Sequence, residues 1–540
     1  MNEETKEAQQ AISDIEDIYD TDYEVGQDNI EKWGFDMHAP VFPVSALLIL
    51  LFVVGSLMFP EESKQGLEAT RNWIQQVFDW LFLSAGNFFV LFCLALIVLP
   101  VGKIRLGGED AVPDFSVLSW FAMLFAAGMG IGLMFWSVAE PVGYFTEWFG
   151  TPLNVAGFTD ESRTAALGAT MYHWGLHPWA IYGVVALSLA FFTYNKGLPL
   201  TIRSTFYPLL GDRVWGWPGH VIDTVAVLAT IFGLATSLGL GAQQAASGLN
   251  FLFDIGAGLQ IQVIVIIGVT AVAIVSVVRG IDGGVKLLSN LNMVLAFLLL
   301  GFVIVAGSLG GFFSNLGRTV TGYVEYMLPL SNPVGRADDT FYHSWTIFFW
   351  AWWISWSPFV GMFIARVSRG RTIRQFLTAV LIVPVVVTII WMSAFGGNGL
   401  DQAAEGIGEL AEGINDSTLA LFQMLTHLPL TEITSFLAIC LVLVFFVTSS
   451  DSGSLVIDSI TAGGKTTAPV TQRVFWATAE GVIAAVLLAV GGEAALQALQ
   501  AGAVSMGLPF TFVLIAMCAS LSRGLYHEHQ LLHYNGLLQR

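Results

Sequence analysis

The sequence predicts an all-α integral membrane protein of about 12 transmembrane helices, and three observations carry that expectation. Of 540 residues, 55% are hydrophobic and only 12% charged, where a soluble domain carries about 25% charged residues. Apolar runs of roughly 20 residues, each long enough to cross a bilayer, recur along nearly the whole chain. Lysine and arginine concentrate in alternate loops, as the positive-inside rule requires of a multi-pass protein.

Taken in order, residues 1–36 hold twelve acids against two bases, Lys6 and Lys32, and read as an acidic, disordered cytoplasmic tail. They have no basic start followed by an apolar stretch, so no signal peptide is expected. Spans are expected near 41–59 and 77–100, forming a pair of N-terminal helices within 37–110. Five more, near 115–137, 164–193, 219–252, 259–279 and 284–310, make a first repeat (111–314). An outer surface helix falls in 315–342. The last five, near 343–368, 373–396, 431–460, 474–491 and 497–521, make a second repeat (343–522), and 523–540 is a short cytoplasmic tail. Further surface helices are expected at 61–76 and at the acidic stretch 401–425. With both ends inside, the inner loops hold fourteen Lys and Arg, the outer loops five; an odd number of spans scrambles this alternation. The net charge of −19 excludes nucleic acid as an expected partner. Cys93, Cys440 and Cys518 lie inside apolar spans at unrelated spacings and read as core residues, without disulfide or metal site.

Two spans stand apart. The third carries Gly128-Met129-Gly130-Ile131-Gly132, and the eighth carries Trp356-Ser357-Pro358. Glycine weakens a helix by about 1 kcal/mol relative to alanine, and proline removes a donor and crowds the preceding turn. Helices broken at membrane depth free backbone groups that are tolerated where they line a cavity or hold a ligand. Breaks five spans apart fit a five-plus-five arrangement of two repeats, with two extra helices in front.

Aromatic residues gather in the same places. His173-Trp174-Gly175-Leu176-His177-Pro178-Trp179-Ala180-Ile181-Tyr182 lies in the fourth span and Phe348-Phe349-Trp350-Ala351-Trp352-Trp353-Ile354-Ser355-Trp356 in the eighth. A lone tryptophan is ordinarily an interfacial anchor, but four within seven residues in mid-span are not explained that way. Facing rings make a cage for a quaternary ammonium, which has no N–H to donate; each ring contributes about 0.5–2 kcal/mol.

Segment 345–376, WTIFFWAWWISWSPFVGMFIARVSRGRTIRQF, resembles the signature of the betaine/carnitine/choline transporter family, and GMGIGLMFWSVAEP (128–141), HWGLHPWAIY (173–182) and FVTSSDSGS (446–454) match the same family in the same order. The resemblance spans about residues 40–525. It implies the inverted-repeat, LeuT-like fold of sodium-coupled symporters, commonly a homotrimer, in the cell inner membrane. It implies an importer of a small zwitterionic compatible solute, such as glycine betaine, dimethylsulfoniopropionate or ectoine, with sodium as coupling ion and no other cofactor. Trp174, Trp179, Tyr182 and Trp353 match the family's aromatic box; Trp356 and Phe348 match a nearby cation-π site. Ala126 and Met129, by their carbonyls, with Phe445, Thr448 and Ser449, match one sodium site; Thr230 and Phe359 match part of a second. Carbonyl and hydroxyl oxygens are hard ligands that suit sodium. The freed N–H groups near Ala127, Met129 and Gly130 can receive a carboxylate. Where the family often has a second threonine one turn after Thr230, this chain has Leu234, with Thr236 two residues on, so the sodium count stands at one or two. Choline carriers tend to have aspartate where this chain has Gly132, which favours betaine-like zwitterions.

Other polar residues are expected to serve packing. His173 and His177 sit at i, i+4 without the glutamate of a zinc motif. Glu140 pairs with a positive group or the backbone. Asp451, an acid inside an apolar span, is a functional candidate by default, with a hydrogen-bonding role favoured over proton coupling. The Arg366–Arg374 cluster reads as an anchor at the cytoplasmic face. The readings left open beside sodium symport are a sodium-independent exchanger, a proton-coupled choline or carnitine carrier, and a membrane sensor that binds the solute without moving it. No cluster of acids, bases or metal ligands suggests an enzyme.

Overall fold

The computed structural model describes residues 3–128, 130–279 and 286–538. The chain enters through α1 (Glu3–Glu16) and a hairpin of β1 (Asn29–Lys32) and β2 (Phe35–His38), antiparallel with Asn29 opposite His38. Then follow α2 (Val41–Met58), α3 (Pro60–Val77) and α4 (Asp79–Val98). The third span is α5 (Val117–Gly128) and α6 (Ile131–Phe145); the fourth is α7 (Asp160–Trp174) and α8 (Leu176–Tyr194). A single turn, α9 (Tyr207–Leu210), leads to α10 (Trp217–Phe253), α11 (Leu259–Arg279), α12 (Lys286–Ala306) and α13 (Leu309–Ser331). After the short α14 (Asp339–Phe341) come α15 (Ile347–Arg366), α16 (Ile373–Glu405), α17 (Ala420–Thr426), α18 (Thr431–Thr461), α19 (Val470–Gly491) and α20 (Ala495–Leu538).

Ten helical stretches among the described residues are long and apolar enough to cross a membrane. One of them, Val470–Asn535, holds two helices, α19 and α20, parted at Gly492, whose φ is 54°. The α5/α6 segment escapes the count because neither half reaches 18 residues. With these two, twelve crossings result, as expected. Exposed leucines, isoleucines and valines stripe the outer helices, for instance Leu47, Leu50 and Leu51 on α2 and Ile264, Ile267 and Val275 on α11, where hydrocarbon is the matching solvent.

The packing repeats itself. Helix α8 of the fourth span lies on α15 of the eighth, and, five spans on, α16 of the ninth lies on α6 of the third. Likewise α10 packs on α20 as α18 packs on α12, and α10 on α19 as α18 on α11. Only two similarly arranged five-span units give contacts that map onto one another by this shift.

The break in the third span is as expected: α5 stops at Gly128, and Gly130 is extended (φ −164°, ψ 179°) ahead of α6. The break expected in the eighth span is absent. Helix α15 runs through Pro358. Proline deprives the Ile354 carbonyl of its usual N–H, and the Ser357 hydroxyl donates to it instead at 2.7 Å, the repair by which proline survives inside buried helices. The irregularity lies more than three turns earlier, in a π-turn over Tyr342–Thr346. A break not expected from sequence divides the fourth span at Gly175 (φ −96°, ψ −127°). The Leu176 N–H freed there donates to the Tyr323 hydroxyl of α13 at 2.8 Å, and a Cβ on Gly175 would lie 2.4 Å from that oxygen.

The acidic N-terminal segment, expected to be disordered, is folded against one end of the bundle. Tyr23 stacks on Trp215 with centroids 4.1 Å apart and receives a 2.7 Å hydrogen bond from Arg203. Lys465 pairs with Asp36 at 2.6 Å, and Tyr19 meets His527 of α20 at 3.0 Å. Its acids had hidden the tyrosines and the hairpin that anchor it. Burial and the neighbouring Arg203 push the His38 imidazole down to about 3, so it stays neutral beside that guanidinium. The 401–425 stretch is likewise no single surface helix: α16 ends at Glu405 on a left-handed Gly406 (φ 72°), and Asp401 is partly buried against Arg163 and Asn315. Instead of ending near 521, α20 continues as one helix to Leu538.

Candidate functional site

The eighth-span aromatics become a site because α15 is a continuous helix. Phe349, Trp352, Trp353 and Trp356 fall at i, i+3, i+4 and i+7, one face of a helix, turned toward the breaks in the third and fourth spans. Trp174 meets Trp353 edge-on at 4.8 Å and 70°. Tyr182 stands at 81° to Trp353 and at 85° to Trp179. Trp352 stacks on Trp353 at 4.8 Å. Mutually perpendicular rings present faces from several directions, as a cation cage requires.

These rings line a small cavity formed by Trp174, Trp179, Tyr182, Trp352, Trp353 and Trp356, with Gly130, Gly132, Leu133, Pro178, Ser237 and Thr388. Every tryptophan of the cage is at most 9% exposed, so the cavity is nearly closed. A Cβ on Gly132 would sit 2.8 Å from Trp352 and 2.9 Å from Trp174: the glycine lets backbone approach two ring edges. Through Gly130, Gly132 and Leu133 the first turn of α6 joins the wall, and the first-turn N–H groups of a helix lack partners within it.

Trp356 also lines a second cavity, with Ala126, Phe359, Phe445, Thr448 and Ser449. The structure therefore brings four members of the first expected sodium set together and adds Phe359 from the second. Met129 lies outside the described residues, and Ala127 sits in the last turn of α5. Thr448 Oγ1 donates within α18 to Val444 and Phe445 carbonyls and accepts from Asn292 of α12 at 3.2 Å. A third cavity shares Phe359, Phe363 and Ser452 with the second and adds Asp451 and Arg366. The three form a chain of spaces from the cage to the end of the bundle that bears Arg366.

Two expected residues stand elsewhere. Phe348 is fully buried behind the cage, stacked on Trp352 at 5.4 Å and absent from the cavity wall; its position is one turn before Trp352 on the same side of α15. Thr230 is buried, its hydroxyl donating to the Ala226 carbonyl of its own helix at 2.7 Å, and it does not line the cavity that holds Phe359. Thr236 is committed to the Phe232 and Leu499 carbonyls, each at 2.9 Å. Sequence reasoning missed Trp352 as a wall, though its place in the run follows from helical spacing. It also missed Asn292, whose signal, a lone amide in an apolar span, is common to many packing residues. Asp451 is held by Ser276 of α11, in keeping with the hydrogen-bonding role expected of it, and His177 by Asn87 at 3.0 Å. Among the described residues no three His, Cys, Asp or Glu gather as a metal site.

Comparison with known proteins agrees with this architecture. The family model described as "BCCT, betaine/carnitine/choline family transporter" matches residues 40–530. The glycine betaine transporter 1 of Vibrio parahaemolyticus is 65% identical, covering 95% of this chain and 98% of its own. A glycine betaine/proline/choline/ectoine transporter of the same organism is 58% identical over 94% and 91%, and the glycine betaine transporter OpuD of Bacillus subtilis is 43% identical over 91% and 95%. With twelve crossings, a broken third span, a ring cage against it, and a family match over nearly the whole membrane region, this chain belongs to the betaine/carnitine/choline transporter family and is a membrane transporter of compatible solutes, not an enzyme.

Proposed function

We propose that this protein imports glycine betaine, or a closely similar zwitterion such as dimethylsulfoniopropionate or ectoine, in symport with sodium across the cell inner membrane. The observation that carries the reading is the closed cage of perpendicular rings beside the first turn of α6. The rings take a cation without N–H donors, and a helix N-terminus favours the carboxylate at the other end of the same solute. Neither partner is a charged side chain, which suits a net-neutral ligand. Two of the relatives named above carry glycine betaine alone in their names. Sodium is assigned to the adjoining cavity, where Ala126, Phe445, Thr448 and Ser449 offer carbonyl and hydroxyl oxygens. An ion there links the broken third span to α18 of the opposite repeat. Both termini are assigned to the cytoplasm, and the assembly to a homotrimer.

The test is uptake of labelled glycine betaine, dimethylsulfoniopropionate, ectoine and choline by proteoliposomes under a sodium gradient, a proton gradient or neither. Uptake driven by sodium, with betaine preferred to choline and the sodium requirement raised in Thr448→Val/Ser449→Ala, supports the reading. Equal uptake in sodium and potassium media defeats it, and uptake driven by protons alone transfers the coupling to a group such as Asp451, which lines the path toward Arg366.

A further inference from the structure

The cage rings are held from behind. Glu140 of α6 is fully buried. Its Oε2 accepts the Trp174 indole N–H at 2.7 Å. Its Oε1 lies 2.5 Å from His173 Nδ1 and accepts from the Tyr144 hydroxyl at 3.1 Å. The other ring nitrogen of His173 meets the Thr346 hydroxyl at 2.9 Å, on the π-turn that leads into α15. The backbone carbonyl of the same His173 accepts the Trp353 indole N–H at 2.8 Å. One unit, Glu140–His173, therefore ends both indole hydrogen bonds of the edge-on pair at the heart of the cage, and ties α6, α7 and α15 together.

The contrast with other buried tryptophans shows that this is not general practice in the fold. Among the described residues, the indole N–H groups of the buried Trp136, Trp350 and Trp391, and of the cage ring Trp356, have no partner, while Trp120 and Trp476 donate to the Ser368 and Thr461 hydroxyls at 3.0 Å each. For the Trp174–Trp353 pair the hydrogen bonds fix ring orientation, and a cation-π contact depends on presenting a ring face, since rotation of an indole about its Cβ turns an edge toward the ligand. A buried carboxylate is expensive to keep, and the three groups directed at it, from Trp174, Tyr144 and His173, are what make it tenable.

We propose that Glu140 is a positioning residue for the solute, acting through Trp174, with His173 as its link to Trp353 and to the π-turn at Thr346. Resting on the assignment of the cage as the solute site, this adds the element that sets the cage's shape. It makes affinity for the quaternary cation a property of a carboxyl that lines no part of the cavity wall.

The experiment compares wild type, Glu140→Gln, Trp174→Phe and the double variant, each purified and reconstituted, by intrinsic-fluorescence titration with glycine betaine and by initial uptake rates. The wild-type titration comes first: no saturable betaine response there defeats the proposed function itself, whatever the variants do. Given a wild-type response, Glu140→Gln should raise the betaine dissociation constant and KM by about tenfold, through disruption of the hydrogen bonds that hold Trp174, while kcat changes far less. Trp174→Phe keeps a ring and removes its N–H, so in the Glu140→Gln background it should add little. Independent, multiplicative losses in the double variant, or a Glu140→Gln protein of lowered thermal stability whose KM equals that of wild type, would overturn the assignment. If Glu140→Gln does not fold, Thr346→Val decides: removing the far end of the link should raise KM a few-fold, and an unchanged KM overturns the proposal equally.

Discussion

The third and eighth spans open the two repeats, both carry residues that oppose helix, and only one of them is broken. Helix α5 ends at Gly128 and α6 follows an extended Gly130, and ring edges of Trp352 and Trp174 press on the first turn of α6 at Gly132. At Pro358 the helix continues, because the one carbonyl that proline orphans receives the Ser357 hydroxyl. A break follows from what satisfies the backbone afterwards, and the residue that threatens the helix does not decide it alone. The pairing also divides labour: the broken span contributes backbone to the site, while the continuous span contributes a rigid stripe of rings.

The sharpest way to break that contrast is to put a side chain on the broken span. Gly132→Asp must displace Trp352 and Trp174, and overpacking of this kind costs about 1–3 kcal/mol. Betaine affinity in fluorescence titration should fall by tenfold or more, while uptake assays should show choline gaining relative to betaine, since the new carboxylate partners a cation that has none of its own. Unaltered betaine binding would mean that the rings yield freely and that the glycine is not a constraint. On the continuous span, Trp353→Leu keeps apolar volume and removes a ring; a loss of about 1 kcal/mol or more in betaine binding is expected, with sodium dependence of the remaining uptake retained. Ser357→Ala asks whether the repair at Pro358 is needed. It should lower stability by about 1 kcal/mol, read as a lower thermal unfolding midpoint in detergent, with betaine KM unaffected; a helix as stable as wild type would show that the orphaned carbonyl needs no repair. The smallest effect is expected from Thr230→Val. Its hydroxyl bonds within its own helix, so half-saturating sodium should barely move, and a shift as large as that of Thr448→Val would place Thr230 among the ligands after all.

Much of this was legible in the sequence because membrane physics narrows the choices. Length and hydropathy located twelve crossings, and the GMGIG run announced its own break through three residues with no side chain. The cage rings Trp174, Trp179, Tyr182 and Trp353 were legible from clustering and from resemblance to the family. What escaped were outcomes set by partners distant in sequence. Gly175 breaks the fourth span with the help of Tyr323, nearly 150 residues away. Pro358 looked like a break because the rescue by its neighbouring serine competes with proline's ordinary effect. Phe348 and Trp352 lie one turn apart on the same side of α15, and only the extent of the cavity along the helix decides that Trp352 lines it and Phe348 stands behind, stacked on Trp352. The acidic segment at the start was read from charge alone, while its fold rests on Tyr19, Tyr23 and Asp36.

That first segment has a consequence for the order in which the molecule is finished. Helix α1 packs on α20, and the Tyr19 hydroxyl meets His527, 508 residues further along the chain. Chains are made from the N-terminus, so the earliest residues to emerge are among the last to find their places, after the final crossing has been inserted. The docking of α1 and Tyr19 thus serves as a mark of completion: a chain halted before α20 lacks the His527 that meets Tyr19.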